Sequence, residues 1–140
     1  PPQEPVTAAQ VAGERVSPST DLMAGWLAAR LNVPVKRSRA ESGPGLVMVR
    51  LQRPSGRVEL IRPDGRVGVL RQPGQPERLV ALGRRGVAEC LAEELRRLDP
   101  DEIYLAALDG VADVVRSRSP VKTPPVTVPV TPLTPTGVLP

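Results

Sequence analysis

The stretch RPSGRVELIRPDGRVGVLRQPGQPERL, residues 53–79, decides the fold because it nearly repeats itself every nine residues. Within it, aliphatic residues such as Val58 and Leu60 alternate with polar or small ones, and this period of two is typical of β-strands. Between the alternating runs, PSG and PDG supply the proline and glycine that favour tight turns. A strand of about five residues and a turn of about four account for the period. The repeat therefore predicts an antiparallel meander.

The meander extends beyond the repeat, and helical patterns flank it. LVMVRLQ (46–52) and ERLVAL (77–82) supply further strands, which gives about four in all. One face of such a sheet is aliphatic and needs cover. A first helix is predicted after Ser17 or Ser19 with Pro18 at its first position, and others over 86–98 and from an Asp99 cap. The predicted fold class is α+β: an antiparallel β-meander of about four strands, covered on one face by two to three helices.

Proline content divides the chain into three parts. Residues 1–16 are predicted to be a linker or N-terminal extension, although VTAAQVAGERV within them could form a short strand or a helical turn. Residues 17–115 form the predicted domain. Residues 116–140 contain seven prolines, which exclude a helix or central strand and predict a disordered tail rich in Pro, Thr and Val.

Residue types that carry catalysis are scarce. The sequence has no histidine and a single cysteine, Cys90, which removes the commonest general base and metal ligand. Cys90 is predicted to be a small buried residue on an apolar helix face. Asp99, Asp101 and Glu102 could bind a divalent cation or act in catalysis, but their position at a helix start explains them without either. We therefore predict a protein that is not an enzyme, with no catalytic, cofactor-binding or metal-binding residues.

Charge is distributed unevenly along the chain, whose formal net charge is +4. Residues 30–84 carry 12 basic and 4 acidic side chains, or +8, whereas residues 85–115 carry 3 basic and 8 acidic ones, or −5. A basic sheet beside an acidic helical part is the simplest interpretation. The alternative is that the basic sheet binds nucleic acid or another polyanion, and the scarcity of aromatic residues for base stacking argues against it.

Four segments resemble one known family. They are DLMAGWLAARLNVPV (21–35), GPGLVMVRLQ (43–52), VELIRPDGRVGVLRQPGQPERLVALGRR (58–85) and AECLAEELRRLDPDEIYLAAL (88–108). Together they closely resemble the C-terminal domain of the glucose-6-phosphate dehydrogenase assembly protein OpcA, a family found in actinobacteria and cyanobacteria. The resemblance covers nearly all of residues 17–110 in order.

The resemblance implies a non-catalytic partner that promotes assembly or activation of glucose-6-phosphate dehydrogenase in the oxidative pentose phosphate pathway. It also implies a second domain of the same parent protein on the N-terminal side of this one, as a further partner. No apolar run approaches the roughly 20 residues that span a bilayer, so we expect a soluble protein without a membrane partner. With a single cysteine the chain has no disulfide framework, which makes the cytoplasm the default location.

Partner contacts are predicted at the turns, since loops often display recognition residues. The candidates are Arg62, Asp64, Arg66 and Gln75, together with exposed Glu and Arg side chains of LAEELRRLDPDE (91–102). The same turn residues could instead serve only to shape the hairpins.

Overall fold

The computed structural model describes residues 4–96 and 98–126, which form one mixed β-sheet with flanking helices. In chain order the elements are β1 (Ala8–Gly13), α1 (Pro18–Leu31), β2 (Val35–Arg39), β3 (Leu46–Arg53), β4 (Gly56–Ile61), β5 (Val67–Arg71), β6 (Arg78–Ala81), α2 (Val87–Glu94), α3 (Glu102–Gly110), a 3-10 turn (Val111–Asp113) and β7 (Val115–Arg116). The sheet order is β6-β5-β4-β3-β1-β2-β7. The predicted α+β class is confirmed, but this part of the chain holds seven strands in a mixed sheet instead of about four antiparallel ones.

The predicted meander is present as β3, β4, β5 and β6, each antiparallel to the next. Leu60 pairs with Val49 on one side and with Leu70 on the other, so these aliphatic residues share a face. The turn glycines Gly56 and Gly65 have φ of +130° and +76°, a backbone conformation that glycine adopts without steric cost. The nine-residue repeat is therefore a strand followed by a turn, as its pattern predicts.

Strand β1 lies inside the predicted linker, residues 1–16, and corrects that prediction for residues 8–13. It pairs parallel with β2 and antiparallel with β3, so it occupies the middle of the sheet. Val11 and Ala12 point to opposite faces and are both buried. A strand covered on both sides shows little alternation, and AAQVAG has few of the β-branched residues that mark strands. The strand therefore leaves only a weak signal in the sequence.

Helix α1 connects β1 to β2 and packs on one face of the sheet. Ser17 is its N-cap, with Pro18 at the first helical position, as predicted. The side chains of Ala24 and Leu27 are buried against Ala9 and Val11 of β1. At the other end, Asn32 adopts φ 50° and its amide bonds the carbonyl of Ala28, which ends the helix.

Helix α3 packs on α1 and not directly on the sheet. The two helices are in close contact at Gly25 of α1 and Gly110 of α3. A side chain at either position would collide with the backbone of the opposite helix. The absence of Cβ atoms at these two residues is therefore what permits the close approach.

Helix α2 does not cover the meander, contrary to the prediction. None of its residues is buried, and the side chains of Val87, Leu91 and Leu95 are 85%, 56% and 67% exposed. Cys90, predicted to be buried, is also exposed. The helical period of this segment is correct, but its apolar stripe has no partner within the described residues.

The start of α3 corrects the predicted cap. Asp101, and not Asp99, is the N-cap, and its carboxylate accepts hydrogen bonds of 3.0 Å from the amides of Ile103 and Tyr104. Glu102 is therefore the first helical residue instead of the third, which it would be with Asp99 as the cap. Pro100 lies before the cap.

Asp101→Ala is expected to lower the free energy of unfolding by about 1 kcal/mol, because it removes the acceptor for two helix amides. Asp99→Ala removes the same charge next to the helix and is expected to change stability much less. Urea unfolding of the two variants measures both effects. Equal losses would show that charge near the helix start matters and the cap does not.

The segment after residue 115 follows the sheet edge for part of its length. Val115 and Arg116 form β7 beside β2, and Val121 makes backbone hydrogen bonds with Arg39 and Glu41. The predicted disordered tail, residues 116–140, is therefore wrong for its first part, because exposed amides and carbonyls of β2 bind it. Residues 127–140 lie outside the described part of the chain. Among the described helices, none has the length and apolarity to cross a bilayer.

Candidate functional site

An exposed apolar groove runs between α1 and α3. Its larger apolar side chains, which we call the helical apolar surface, are Leu22, Met23, Trp26, Ile103 and Tyr104. The groove has a volume of about 310 Å³. Trp26 is 39% exposed, and Ile103 and Tyr104 are 54% and 48% exposed. Contiguous apolar surface of this kind on a small domain is typical of a protein contact site.

Helix geometry explains why these side chains remain outside. In α1, the sheet is contacted by the face that carries Ala24 and Leu27, so Trp26 projects from a different face. In α3, Ile103 and Tyr104 lie four and three residues before the buried Ala107, so they share its face toward α1. They line the open groove beside α1 and stay about half exposed. Each helix is thus apolar on more of its circumference than the fold covers.

Rare residue types meet in this surface. The chain contains one tryptophan and one tyrosine and no phenylalanine, and the fold brings Trp26 and Tyr104 to the same groove. The groove is not among the sites predicted from sequence. The signal that could have found it is the placement of the two aromatic residues on two separate amphipathic helices.

Acidic side chains lie beside the groove. Glu94, Asp99, Asp101 and Glu102 line an adjoining cleft of about 420 Å³ together with Ile103. Within the described ranges, no group of three or more His, Cys, Asp or Glu side chains is arranged to hold a metal ion. The cleft instead gives the apolar groove a negatively charged border, which agrees with the acidic helical part that the sequence predicts.

Arg62, one of the predicted contact residues, makes structural hydrogen bonds. Its guanidinium donates to the carbonyl oxygens of Leu82 and Leu46 at 3.0 and 3.1 Å. These bonds connect the end of the meander to the start of β3. Replacement of Arg62 would therefore disturb the fold as well as any contact that it makes.

The other turn residues that are predicted contacts lie at two separate ends of the sheet. Asp64 and Arg66 are exposed in the turn between β4 and β5, whereas Gln75 is exposed in the turn between β5 and β6. Successive turns of a meander lie at opposite ends. Gln75 accepts a hydrogen bond of 3.1 Å from Arg78. The fold therefore places Gln75 apart from the Arg62, Asp64 and Arg66 turn, and contact by any of them remains a prediction.

The Asp64 carboxylate organises its turn. It accepts hydrogen bonds from the backbone amides of Arg66 and Val67 at 2.9 and 3.1 Å. These bonds, that from Arg66 first, hold the pKa of the Asp64 carboxyl below its ordinary value of 3.8. A carboxylate that accepts amide bonds in the folded state favours that state while it is ionised.

The contribution of Asp64 to stability should depend on pH. Because its pKa is lower in the folded state, the contribution should be complete above the unfolded-state pKa and disappear as pH falls through the folded-state pKa. Unfolding of the wild type and of Asp64→Ala, compared from pH 7 to acid, measures it. We expect a gap between the two proteins at pH 7 that closes in acid; a gap that stays constant would contradict the role of the carboxylate.

Three arginines of the meander are engaged with the fold. Arg50 pairs with Glu59 at 2.5 Å, and Arg71 pairs with Glu77 at 2.7 Å. Together with Arg62, these arginines direct hydrogen-bond donors to groups of the protein itself. This arrangement reduces the basic surface available to nucleic acid, the alternative partner predicted from charge.

A family model described as the C-terminal domain of a glucose-6-phosphate dehydrogenase subunit matches residues 1–108. This match confirms the resemblance to the OpcA C-terminal domain that the four sequence segments carry. It includes β1, in agreement with the central place of that strand in the sheet. Searches of curated proteins and of solved structures found no match.

Proposed function

This chain belongs to the family of OpcA C-terminal domains, and from that membership we propose that it binds glucose-6-phosphate dehydrogenase as a non-catalytic assembly protein. Binding would promote oligomerisation or activity of the dehydrogenase in the oxidative pentose phosphate pathway, in the cytoplasm. The dehydrogenase would supply all of the catalytic groups.

The helical apolar surface is the observation that carries this proposal. It combines a tryptophan and a tyrosine, which are enriched among residues that dominate binding energy at protein interfaces, with aliphatic neighbours in a groove. The apolar stripe of α2, formed by Val87, Leu91 and Leu95, adds further exposed area. Burial of apolar surface, at about 25 cal/mol for each Å², would favour docking of a partner there.

Charge gives the proposed contact its orientation. The carboxylates of Glu94, Asp99, Asp101 and Glu102 lie next to the groove. A border of negatively charged side chains favours a positively charged patch on the partner and raises the rate at which the two proteins meet. We therefore propose that the dehydrogenase presents an apolar patch bordered by basic side chains.

The proposal that the chain is not an enzyme rests on its residue types. Without histidine, the sequence offers no Ser/His or Cys/His nucleophilic pair. Cys90 lies exposed on helix α2, and the sequence holds no histidine that could activate its thiol. These features favour a binding role.

Reconstitution with the cognate dehydrogenase tests the proposal. The two purified proteins should co-elute, and light scattering should give a complex larger than the dehydrogenase alone. Initial rates over a range of glucose 6-phosphate concentrations, with and without the chain, measure activation. Failure of both this chain and a longer protein that contains it to associate with the dehydrogenase would overturn the proposal.

A further inference from the structure

A cleft of about 560 Å³ lies on the face of the sheet opposite α1. We call it the sheet cleft. The side chain of Val11 in β1 faces α1. Its neighbour Gln10 faces the opposite side, toward the cleft, because successive side chains of a strand point to opposite faces. The polar lining residues come from β1, β2, β3 and β4 and are Gln10, Lys36, Arg50, Gln52 and Arg57.

Strand register explains why these side chains converge. In one row across the sheet, Gln10 pairs with both Lys36 and Arg50. In the next row on the same face, Gln52 pairs with Ala8 and Arg57. Cross-strand partners lie side by side on one face. Because Ala8 has only a methyl side chain, the larger residues around it enclose a depression.

Arg50 is held in place by two side chains. Its Nε donates to Glu59 Oε1 at 2.5 Å, and its Nη1 donates to Gln10 Oε1 at 3.0 Å. Gln10 in turn donates from Nε2 to Ser38 Oγ at 2.9 Å. This network connects β4, β3, β1 and β2. It fixes the guanidinium before any ligand arrives, which lowers the entropy lost on binding.

The sheet cleft has an excess of positive charge. Lys36, Arg50 and Arg57 line it, and Glu59 beside it is the carboxylate that offsets one of them. Arg57 Nε is 3.9 Å from Glu59, and its side chain is 58% exposed. Lys36 is exposed and forms no ion pair within the described residues. Lys36 and Arg57 thus keep donors that can point into the cleft.

We propose that the sheet cleft binds a small hydroxylated anion, either a phosphate monoester or a carboxylate. Guanidinium groups match both head groups with paired hydrogen bonds. The amides of Gln10 and Gln52 can exchange hydrogen bonds with hydroxyl groups. The volume lies within the range of small-molecule sites, about 300–1,000 Å³. This site is on the opposite side of the sheet from the groove proposed for the dehydrogenase and is independent of it.

Calorimetric titration of the chain alone tests the inference. The probes are glucose 6-phosphate, inorganic phosphate and citrate, with uncharged glucose as the reference. We expect at least one organic anion to bind, glucose not to bind, and added salt to weaken the binding. Tighter binding of glucose 6-phosphate than of citrate would assign a phosphate monoester, and the reverse a carboxylate. Amide resonances of Gln10, Lys36 and Gln52 should shift in either case.

A pair of charge-matched variants decides whether the sheet cleft is responsible. Lys36→Gln with Arg57→Gln should weaken binding of the anion at least tenfold while the fold is kept, because both side chains are at the surface. Arg118→Gln with Lys122→Gln removes the same charge from positions outside the cleft and should leave affinity unchanged. Equal loss in both variants, binding of glucose as strong as that of the anions, or no binding by the wild type would overturn the inference.

Discussion

Gly25→Val is expected to lower the free energy of unfolding by about 3 kcal/mol, through overpacking between α1 and α3. A Cβ at Gly25 would collide with the carbonyl oxygen of Ala107 and lie 2.9 Å from the amide nitrogen of Val111. Both atoms belong to backbone, so neither can move without shifting the helix. Replacement of glycine within a helix normally gains up to about 1 kcal/mol, and the collision exceeds that gain.

Chemical denaturation of three variants checks this prediction. Gly110→Val attacks the same contact from the other helix, since its Cβ would meet the carbonyl oxygen of Gly25, and should give a loss of similar size. Gly83→Val is the matched control, because no atom lies within 4 Å of the Cβ that it adds. A change no larger at Gly25 than at Gly83 would contradict the proposed packing.

Trp26→Ala is expected to weaken binding of the dehydrogenase by about 2 kcal/mol, or roughly 30-fold in dissociation constant. The side chain lies in the groove with Ile103 and Tyr104, where a partner would bury it. Its loss removes both apolar area and the aromatic contact of the groove. Titration of the dehydrogenase with each protein, followed by interferometry, gives the ratio of affinities.

Two controls separate this effect from others. Leu79→Ala is the first control and should bind normally. Leu79 is 49% exposed, as Tyr104 is at 48%, but it lies on β6 and does not line the groove. Arg66→Ala tests the turn contact predicted from sequence, since Arg66 contributes no side-chain hydrogen bond to the described structure. Loss of binding in Arg66→Ala with normal binding in Trp26→Ala would move the interface from the groove to the turn.

Repetition and turn chemistry were the parts of the sequence that predicted structure well. The alternation around Val58, Leu60, Val67 and Val69 predicted the meander, because a period of two is typical of strands in a sheet whose two faces differ in polarity. The same logic fails for β1, where Val11 and Ala12 are both buried and the alternation vanishes. The Ser17 cap was predictable because capping depends on a local pattern.

The candidate site was less predictable for a physical reason. Helical period reveals that α2 and α3 have apolar faces, but it does not reveal what covers them. The sequence therefore predicted that the helix over 86–98 would cover the sheet, whereas its Val87 and Leu91 are exposed. The sheet cleft depends on register between strands that are distant in sequence, such as the pairing of Gln10 with Arg50. Such pairings leave no local pattern.

The central position of β1 has a consequence for how the chain folds. Of the seven described strands β1 comes first in the chain, so its neighbours β2 and β3 are made after it. Val11 must then meet Val49 across 37 intervening residues. The meander joins strands through short turns, so it can form quickly from local contacts. The sheet is then completed only when β1 pairs with β3 and β2, and the long loop between the partners makes this pairing costly in entropy. Although β1 precedes the other six described strands in the chain, it is therefore expected to be among the last to pair.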